Sequence, residues 1–244
     1  MDRITARSLP LVLIVLLAGC HERRRVTYGP PLHMDELAAG LPAPENDFAL
    51  LVDQQTEGRF GCPLAIAKLT PDASDPGDPL VLVPLYSNEQ AYWSEQMRGV
   101  AAVQKLVFLR PRSTRPEGHS VGTLCATAAR LGAPLLLTYA PRQLGPNSAQ
   151  VLGVLYDAES HQPLATVQAS SRLLDEDGEE VSPSDKRGDH RDQDAGYQAQ
   201  RKFEEHTLAC LRELIHRDSR PPTTQPHKWS QPFFERWWIE NRNR

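Results

Sequence analysis

Short apolar runs separated by turn-forming residues predict most of the strands of this chain. The runs lie at 48–52, 63–69, 80–85, 103–109 and 135–139, and runs of this length between turn signals are typical of buried strands. The last of them is apolar throughout and is expected to be a central strand covered on both faces. Loops rich in proline, glycine and aspartate separate several of the runs, which places the strand ends there.

Two further strands follow, and they are joined by a predicted turn at 159–162. The segment 150–157 is mainly apolar, whereas 164–174 alternates between apolar and polar residues. Alternation with a period of two predicts a strand with one buried and one solvated face, as in antiparallel sheets. Ala165, Val167, Ala169 and Leu173 form the inward set, and Thr166, Gln168, Ser170 and Arg172 form the outward set.

Three segments show helical spacing, at about 87–99, 120–131 and 197–216. Ser87 and Gln90 resemble a capping box at the start of the first helix. Gly132 is placed to end the second helix as a C-cap. The predicted inward faces are Trp93, Met97, Val100 and Ala101; then Val121, Leu124, Cys125 and Ala128; then Phe203, Thr207, Cys210, Leu211 and Leu214.

This order of elements predicts an α/β (α+β) fold. We expect a mixed, mostly antiparallel sheet of about five or six strands with about three packing helices. In a chain of 244 residues, this body forms a single domain at 47–217. Segment 175–194 interrupts it with a strongly acidic stretch, which we interpret as a solvated loop.

Composition and charge narrow the function classes. Hydrophobic residues make up 40% and charged residues 24% of the chain, with a net charge of −4. This composition is typical of a globular protein and argues against a polytopic membrane protein or general disorder. A mildly acidic chain has no overall electrostatic attraction to nucleic acid, so no nucleic-acid partner is expected.

The amino terminus has the pattern of a lipoprotein signal peptide, predicted at 1–19. Basic residues precede a ten-residue apolar run that is too short for a spanning helix. The run ends in Leu17-Ala18-Gly19-Cys20, which resembles the bacterial lipobox. The resemblance implies cleavage before Cys20 and acylation of its thiol, with palmitate among the expected acyl groups. An ordinary secretory signal with a chance cysteine, or an uncleaved short anchor, is the alternative.

Residues 20–46 are then predicted to tether the body to the membrane. Several prolines and little periodicity favour an irregular linker. The basic cluster at 23–25 either contacts an anionic leaflet or is simply solvated. His21 occupies the position where some Gram-negative lipoproteins carry an inner-membrane retention aspartate. By that resemblance, we expect the outer membrane, facing the periplasm, rather than the inner membrane.

Three cysteines remain after Cys20. Cys62, Cys125 and Cys210 allow three different single disulfides, and an exported compartment permits disulfides. Cys125 and Cys210 lie on apolar helix faces, where buried free thiols are the simpler interpretation. No Cys-x-x-Cys pair occurs, so no structural zinc site is expected.

The carboxyl-terminal stretch, 218–244, combines a proline-rich linker with an unusual aromatic cluster. Three of the four tryptophans lie there. We expect this segment either to pack on the body, to dock on a partner, or to lie in the membrane interface. The aromatic residues are Trp229, Phe233, Phe234, Trp237 and Trp238.

One segment resembles a catalytic motif. Gly118-His119-Ser120-Val121-Gly122 matches the G-x-S-x-G nucleophile elbow, and Asp157 and His206 follow in the order of an α/β-hydrolase triad. A long proline-containing loop nevertheless precedes Ser120, so the simpler interpretation is an N-cap. No metal-ligand motif, phosphate loop or dinucleotide fingerprint occurs, so no metal and no cofactor are expected.

The body also resembles the α/β domain shared by CsgG, the LpoB-type lipoproteins and the TolB amino-terminal domain. The resemblance covers about 63–216 and rests on 129–133 (ARLGA) leading into a strand and on 156–159 (YDAE) at a hairpin. The sequence at 160–163 departs from the family's small-residue turn. The resemblance implies a non-enzymatic envelope protein that binds a protein partner or assembles. Self-association into a homo-oligomer stays open, and a pore is not implied because the secretion-channel hairpins are missing.

Overall fold

One open sheet of seven strands organises the described part of the chain. The computed structural model describes residues 30–34, 37, 47–51, 60–71, 79–100, 103–111, 119–173 and 194–218. The elements, in chain order, are β1 (Phe48–Leu50), β2 (Cys62–Pro71), β3 (Leu80–Val83), α1 (Ser87–Met97), β4 (Val103–Phe108), α2 (Val121–Arg130), β5 (Leu135–Gly145), β6 (Ser148–Asp157), β7 (Pro163–Arg172) and α3 (Ala195–Asp218). The predicted α/β class, with a mixed and mostly antiparallel sheet and three helices, is confirmed.

Strand β2 lies at the parallel centre of the sheet. On one side, β2 pairs in parallel with β5. On the other side, its first half pairs in parallel with β4 and its last residues pair antiparallel with β3. From β5 the sheet continues through β6, β7 and β1 by antiparallel pairing. The helical connections that precede β4 and β5 allow the parallel pairs, and tight turns join the antiparallel pairs β5–β6 and β6–β7.

The helices cover the two faces of the sheet separately. Helices α1 and α3 pack on the first face and α2 packs on the second, which gives three layers. Strands β2, β5 and β6 supply both cores by alternation, as Leu136 and Leu137 do from adjacent positions of β5. The continuous apolar run predicted to be covered on both faces is therefore confirmed. Large first-face residues are Ile66, Trp93, Leu137, Phe203 and Leu211; second-face residues include Leu69, Leu124, Cys125, Ala128 and Leu136.

The ends of α2 are set by the residues that the sequence indicates. The Ser120 side chain caps its amino terminus. Gly132 adopts a left-handed φ of +74° after the last turn, which glycine does at little cost. Its N–H donates to Ala129 O at 2.9 Å, and Ala133 N–H donates to Ala128 O at 3.0 Å. These bonds satisfy carbonyls that the helix end would otherwise leave open.

The N-cap of α1 is one residue earlier than predicted. Tyr86, not Ser87, is the N-cap residue, and its backbone N–H donates to Glu89 Oε2 at 2.8 Å. The prediction of Ser87 with Gln90 was wrong in register. The reason is that Glu89 occupies the N3 position relative to Tyr86, where a carboxylate accepts well at a helix start, whereas the Gln90 side chain donates to Leu85 O at 2.8 Å.

Strand β5 continues beyond the predicted apolar run. The expected strand ended at 139, whereas β5 reaches Gly145 and pairs with β6 from Arg142↔Gln150 to Gly145↔Ser148. The extension is polar and contains Pro141, so its hydropathy gives no strand signal. Backbone pairing across a tight hairpin holds it in place.

Part of the predicted tether contacts the body. Leu32, Met34 and Leu37 pack with the second-face core. Leu32 N–H donates to His119 O at 3.0 Å, and Leu80 N–H donates to Leu32 O at 2.6 Å. This short segment, which comes before residue 47 in the chain, is therefore packed against the second-face core. The domain boundaries stay predictions. Within the described ranges, no helix has the length and apolarity needed to cross a membrane.

Candidate functional site

The Ser120 hydroxyl is engaged in capping α2. Ser120 is buried, and its Oγ accepts from Thr123 N–H at 3.2 Å and lies 2.8 Å from Thr123 Oγ1. Strand β4 ends at Phe108, and eleven residues separate it from Ser120, the N-cap of α2. A nucleophile elbow needs a strand that leads directly into the serine. The local geometry is that of an N-cap.

The other two residues of the hydrolase triad lie elsewhere in hydrogen-bonded positions. Asp157 Oδ1 accepts from the backbone N–H groups of Glu159 and Ser160, at 2.9 and 3.1 Å, and so closes the β6–β7 turn. His206 Nδ1 donates to Gln168 O at 2.8 Å. Helix α3, which carries His206, packs on the first face, whereas Ser120 caps a helix on the second. The structure does not bring the three residues together as a triad.

The body cysteines are buried thiols. Among the described residues, Cys62, Cys125 and Cys210 form no disulfide, as the apolar positions of the latter two indicate. Burial raises the pKa of the Cys125 thiol to about 12, and burial followed by the Glu213 charge raises that of Cys210 to about 12. Such thiols stay protonated and unreactive at neutral pH. In the part of the chain that the structure describes, no three histidine, cysteine or acidic residues cluster as metal ligands.

A buried polar cluster lies between α1 and α3, and we call it the α1–α3 cluster. It consists of Trp93 on α1, Tyr139 on β5 and Glu204 on α3. Their exposed fractions are 0%, 0% and 3%. Among the described residues, Glu204 Oε2 has no hydrogen-bond partner, and Trp93 Nε1 and Tyr139 Oη have none of ordinary geometry, although Trp93 and Gln200 lie close enough to the Tyr139 hydroxyl to lower its pKa. Three such groups on adjacent elements are unusual, because a buried polar atom is normally paired.

Aromatic rings hold the three elements of this cluster together. The ring centroids of Trp93 and Tyr139 lie 6.1 Å apart, and those of Tyr139 and Phe203 lie 5.3 Å apart, both in tilted arrangements. Such separations are favourable for aromatic pairs. Phe203 is the chain neighbour of Glu204 on α3, so the same packing that buries the phenylalanine brings the carboxyl beside α1.

The cations around the cluster are engaged elsewhere. Lys68 on β2 forms an ion pair with Glu89 on α1. The guanidinium of Arg201 lies 3.7 Å from the ring centroid of Tyr92 and 5.6 Å from that of Tyr197. Glu204 itself receives one hydrogen bond, from Gln200 Nε2 to its Oε1 at 3.0 Å. Its carboxyl group therefore lacks a direct cationic partner.

The pKa values follow from this environment. Burial raises the pKa of Glu204 to about 7; the Gln200 hydrogen bond and the Arg201 charge oppose the shift, and the charges of Glu89 and Glu205 add to it. Burial, reinforced by the Glu89 and Glu204 charges, raises the pKa of Tyr139 far above its usual range. Close to neutral pH, Glu204 therefore exists partly in its uncharged form.

Sequence reasoning missed this cluster, although α3 carried a signal for it. Glu204 lies at helical spacing from Leu208 and Leu211, inside the apolar stripe. A charged residue within such a stripe marks a buried titratable group. Its partners could not be identified in this way, since Trp93 and Tyr139 belong to distant segments that only the fold brings together.

The other predicted site residues lie outside the described part of the chain. These are Cys20, the predicted lipidation site, and the aromatic residues Trp229, Phe233, Phe234, Trp237 and Trp238. Their roles stay predictions.

Comparison with known proteins gives structural likenesses only. No family model matches the chain, and no curated protein matches it. Similar solved structures include the LpoB C-terminal domain from Salmonella enterica, at 12% identity and a TM-score of 0.33, covering 47% of this chain and 84% of that one. Protein XCC0632 from Xanthomonas campestris, of the DUF330 family, has 10% identity and a TM-score of 0.34, covering 69% and 93%.

A PelC dodecamer from Paraburkholderia phytofirmans is also similar, at 8% identity and a TM-score of 0.33, covering 72% of this chain and 98% of that one. An LpoB domain is thus among the similar structures, as the sequence resemblance implied for LpoB-type proteins. At these identities and TM-scores, the likenesses carry no argument about what this chain binds or does.

Proposed function

We propose that this protein is a lipid-anchored component of the bacterial cell envelope whose α/β body binds a protein partner or assembles, without catalysis. The observation that carries the proposal is Leu17-Ala18-Gly19-Cys20, placed directly after a basic start and a short apolar run. The pattern supplies an export signal, a cleavage position and a thiol at the new amino terminus. His21 in place of aspartate favours the outer membrane over the inner membrane.

Acylation of Cys20 would provide the membrane attachment. Each buried acyl CH₂ contributes about 0.8 kcal/mol, and two chains give stable anchoring where one chain does not. The basic residues at 23–25 would add to this attraction on an anionic surface by up to about 1 kcal/mol each.

The proposal of a non-catalytic body has local support. Ser120 serves as a helix cap, and Asp157 serves as a turn acceptor. The described residues form no cluster of metal ligands. The serine hydrolase that the GHSVG segment suggests would need a base hydrogen-bonded to the Ser120 hydroxyl, and among the described residues the group bonded to that hydroxyl belongs to Thr123.

Replacing Cys20 tests the anchoring. In the wild-type protein, mass spectrometry of the amino-terminal peptide should show an acylated Cys20, and the protein should fractionate with membranes. Cys20→Ser should abolish the acyl mass and either release the protein or leave an uncleaved precursor. His21→Ala is the matched control and should remain acylated. An unmodified Cys20 in the wild-type protein would contradict the proposal.

Crosslinking in intact cells tests the binding role. Purification after crosslinking should recover a defined envelope partner, or a multiple of this chain if it assembles. The same partner should be lost when the protein is not anchored, since anchoring raises the local concentration on the membrane. Recovery of the monomer alone would argue against both forms of the role.

A further inference from the structure

The α1–α3 cluster places a titratable group where two helices meet. Helices α1 and α3 cover the same face of the sheet and contact each other above β5. Glu204 is buried at this junction, its Oε2 has no hydrogen-bond partner among the described residues, and its charge raises the pKa of both Tyr92 on α1 and Tyr139 on β5. A carboxylate in such a position bears a buried charge, whereas a protonated carboxyl does not.

The groups facing Glu204 favour its neutral form. On α3 itself, the guanidinium of Arg201 lies over the ring of Tyr92 from α1, and Glu205 adds negative charge. On α1, Glu89 also adds negative charge and engages Lys68 of β2. Among the described residues, the charged and titratable groups that interact with Glu204 are Arg201 and Glu205 on α3, Glu89 and Tyr92 on α1 and Tyr139 on β5, and Lys68 on β2 is paired with Glu89.

We propose that Glu204 acts as a proton-dependent latch between α1 and α3: protonated, it lets the helices pack closely, and ionised, it draws water into the junction and loosens α1. A protonated carboxyl carries no charge, so a buried junction without a cationic partner tolerates it. A carboxylate there keeps a buried charge, which solvent or a cation would stabilise.

Helix α1 is the part expected to move. It has 11 residues and buries Trp93 and Met97, whereas α3 has 24 residues and buries side chains along most of its length. Local opening takes place where the fewest buried contacts must be broken. Water can therefore reach Glu204 at a lower cost by lifting α1 than by lifting α3.

Hydrogen exchange of the full-length protein tests the latch. The measurement is the protection of amides in 87–97, corrected for intrinsic exchange chemistry, at about pH 5.5 and about pH 8.5. Ionisation near neutral pH should increase the opening equilibrium of α1 on the order of ten-fold across this range. The amides of β5 should change less, since they lie in the sheet.

Two variants decide whether Glu204 is responsible. Glu204→Gln keeps the shape and hydrogen-bonding ability but cannot ionise, so α1 protection should no longer depend on pH. Glu205→Gln is the matched control, because Glu205 is exposed and adjacent in sequence, and it should retain most of the wild-type dependence. An unchanged pH dependence in Glu204→Gln, or no pH dependence in the wild type, would overturn the proposal.

A third variant keeps the test decisive if Glu204→Gln folds poorly. Glu89→Gln removes a negative charge that raises the pKa of Glu204 and leaves Lys68 without its partner. Both effects favour ionised Glu204, so the midpoint, which is the pH at which half of the change in α1 amide protection has occurred, should become lower. A midpoint that stays in place, or moves to higher pH, would overturn the latch.

Discussion

At the scale of single residues, Gly153 and Phe203 form the tightest contact of the first-face core. Strand β6 presents Gly153 beneath the ring of Phe203 on α3. A Cβ at position 153 would lie 2.5 Å from Phe203 Cζ and 3.0 Å from Thr138 O. Glycine is therefore required here for the close approach of helix and sheet, and not for an unusual φ. The same approach places Glu204 against α1.

Gly153→Ala should destabilise the body. The added methyl group forces the Phe203 ring to shift in a close-packed core, and overpacking of this kind costs about 1–3 kcal/mol. Urea unfolding measures the loss directly. Gly99→Ala is the control, because a Cβ at 99 meets nothing within 4 Å. Equal stability of the two variants would show that the Phe203 ring adapts without cost.

Ser120→Ala should lower the free energy of unfolding and should leave ester turnover at the wild-type level. Loss of an N-cap side chain costs about 1 kcal/mol. Ser120→Thr retains a capping oxygen and should lose less. Both variants are compared with the wild type by urea unfolding and by turnover of a simple ester. Robust turnover by the wild type that disappears in Ser120→Ala would instead establish the hydrolase function.

At the scale of elements, the burial of Glu204 between α1 and α3 makes stability depend on pH. Folding raises the Glu204 pKa from 4.5 to about 7, so between these values the folded state binds more protons than the unfolded state. The contribution is fully present below about pH 4.5 and is lost as the pH rises through about 7, for a total of about 3 kcal/mol.

This dependence is measurable by urea unfolding across the pH range. The free energy of unfolding of the wild type, relative to Glu204→Gln, should fall as the pH rises and then become constant above about pH 8. Taking the difference between the two proteins cancels the titration of groups that they share. A difference that is flat with pH, or that rises, would contradict a buried neutral Glu204.

At the scale of the whole molecule, the two ends of the chain carry the predicted attachment points, and the body lies between them. Helix α3 ends at Asp218, and a proline-rich linker separates it from Trp229, Phe233, Phe234, Trp237 and Trp238. An exposed patch of five aromatic side chains is rare on a monomer. We therefore predict that this segment is covered by the body, by a partner or by the membrane interface.

Deletion of 229–244 should separate these alternatives. If the segment packs on the body, deletion should lower the free energy of unfolding; if it docks elsewhere, stability should be unchanged while partner recovery or vesicle binding falls. Replacing the three tail tryptophans by alanine in the full chain is the matched control for length. A deletion that affects neither stability nor either kind of binding would refute the prediction.

Much of the fold was predictable because local signals and the final packing agree. Alternation at 164–174 indicated β7, apolar spacing indicated α1 and α3, and Ser120 with Gly132 marked the limits of α2. These signals depend on periodicity and on the chemistry of helix ends, which act within a few residues. The polar end of β5 carried no such signal, since its order comes from pairing with β6.

What the sequence determined by itself is therefore local: most strands and helices, the burial of Cys125 and Cys210 and the capping role of Ser120. The export signal that ends at Cys20 is likewise a local pattern and stays a prediction. Only the tertiary structure decided that Trp93, Tyr139 and Glu204 share one junction, and that Ser120 and His206 belong to helices on opposite faces. The physical reason is that burial and electrostatics depend on neighbours brought in by sheet pairing and helix packing. Those neighbours are distant in the chain.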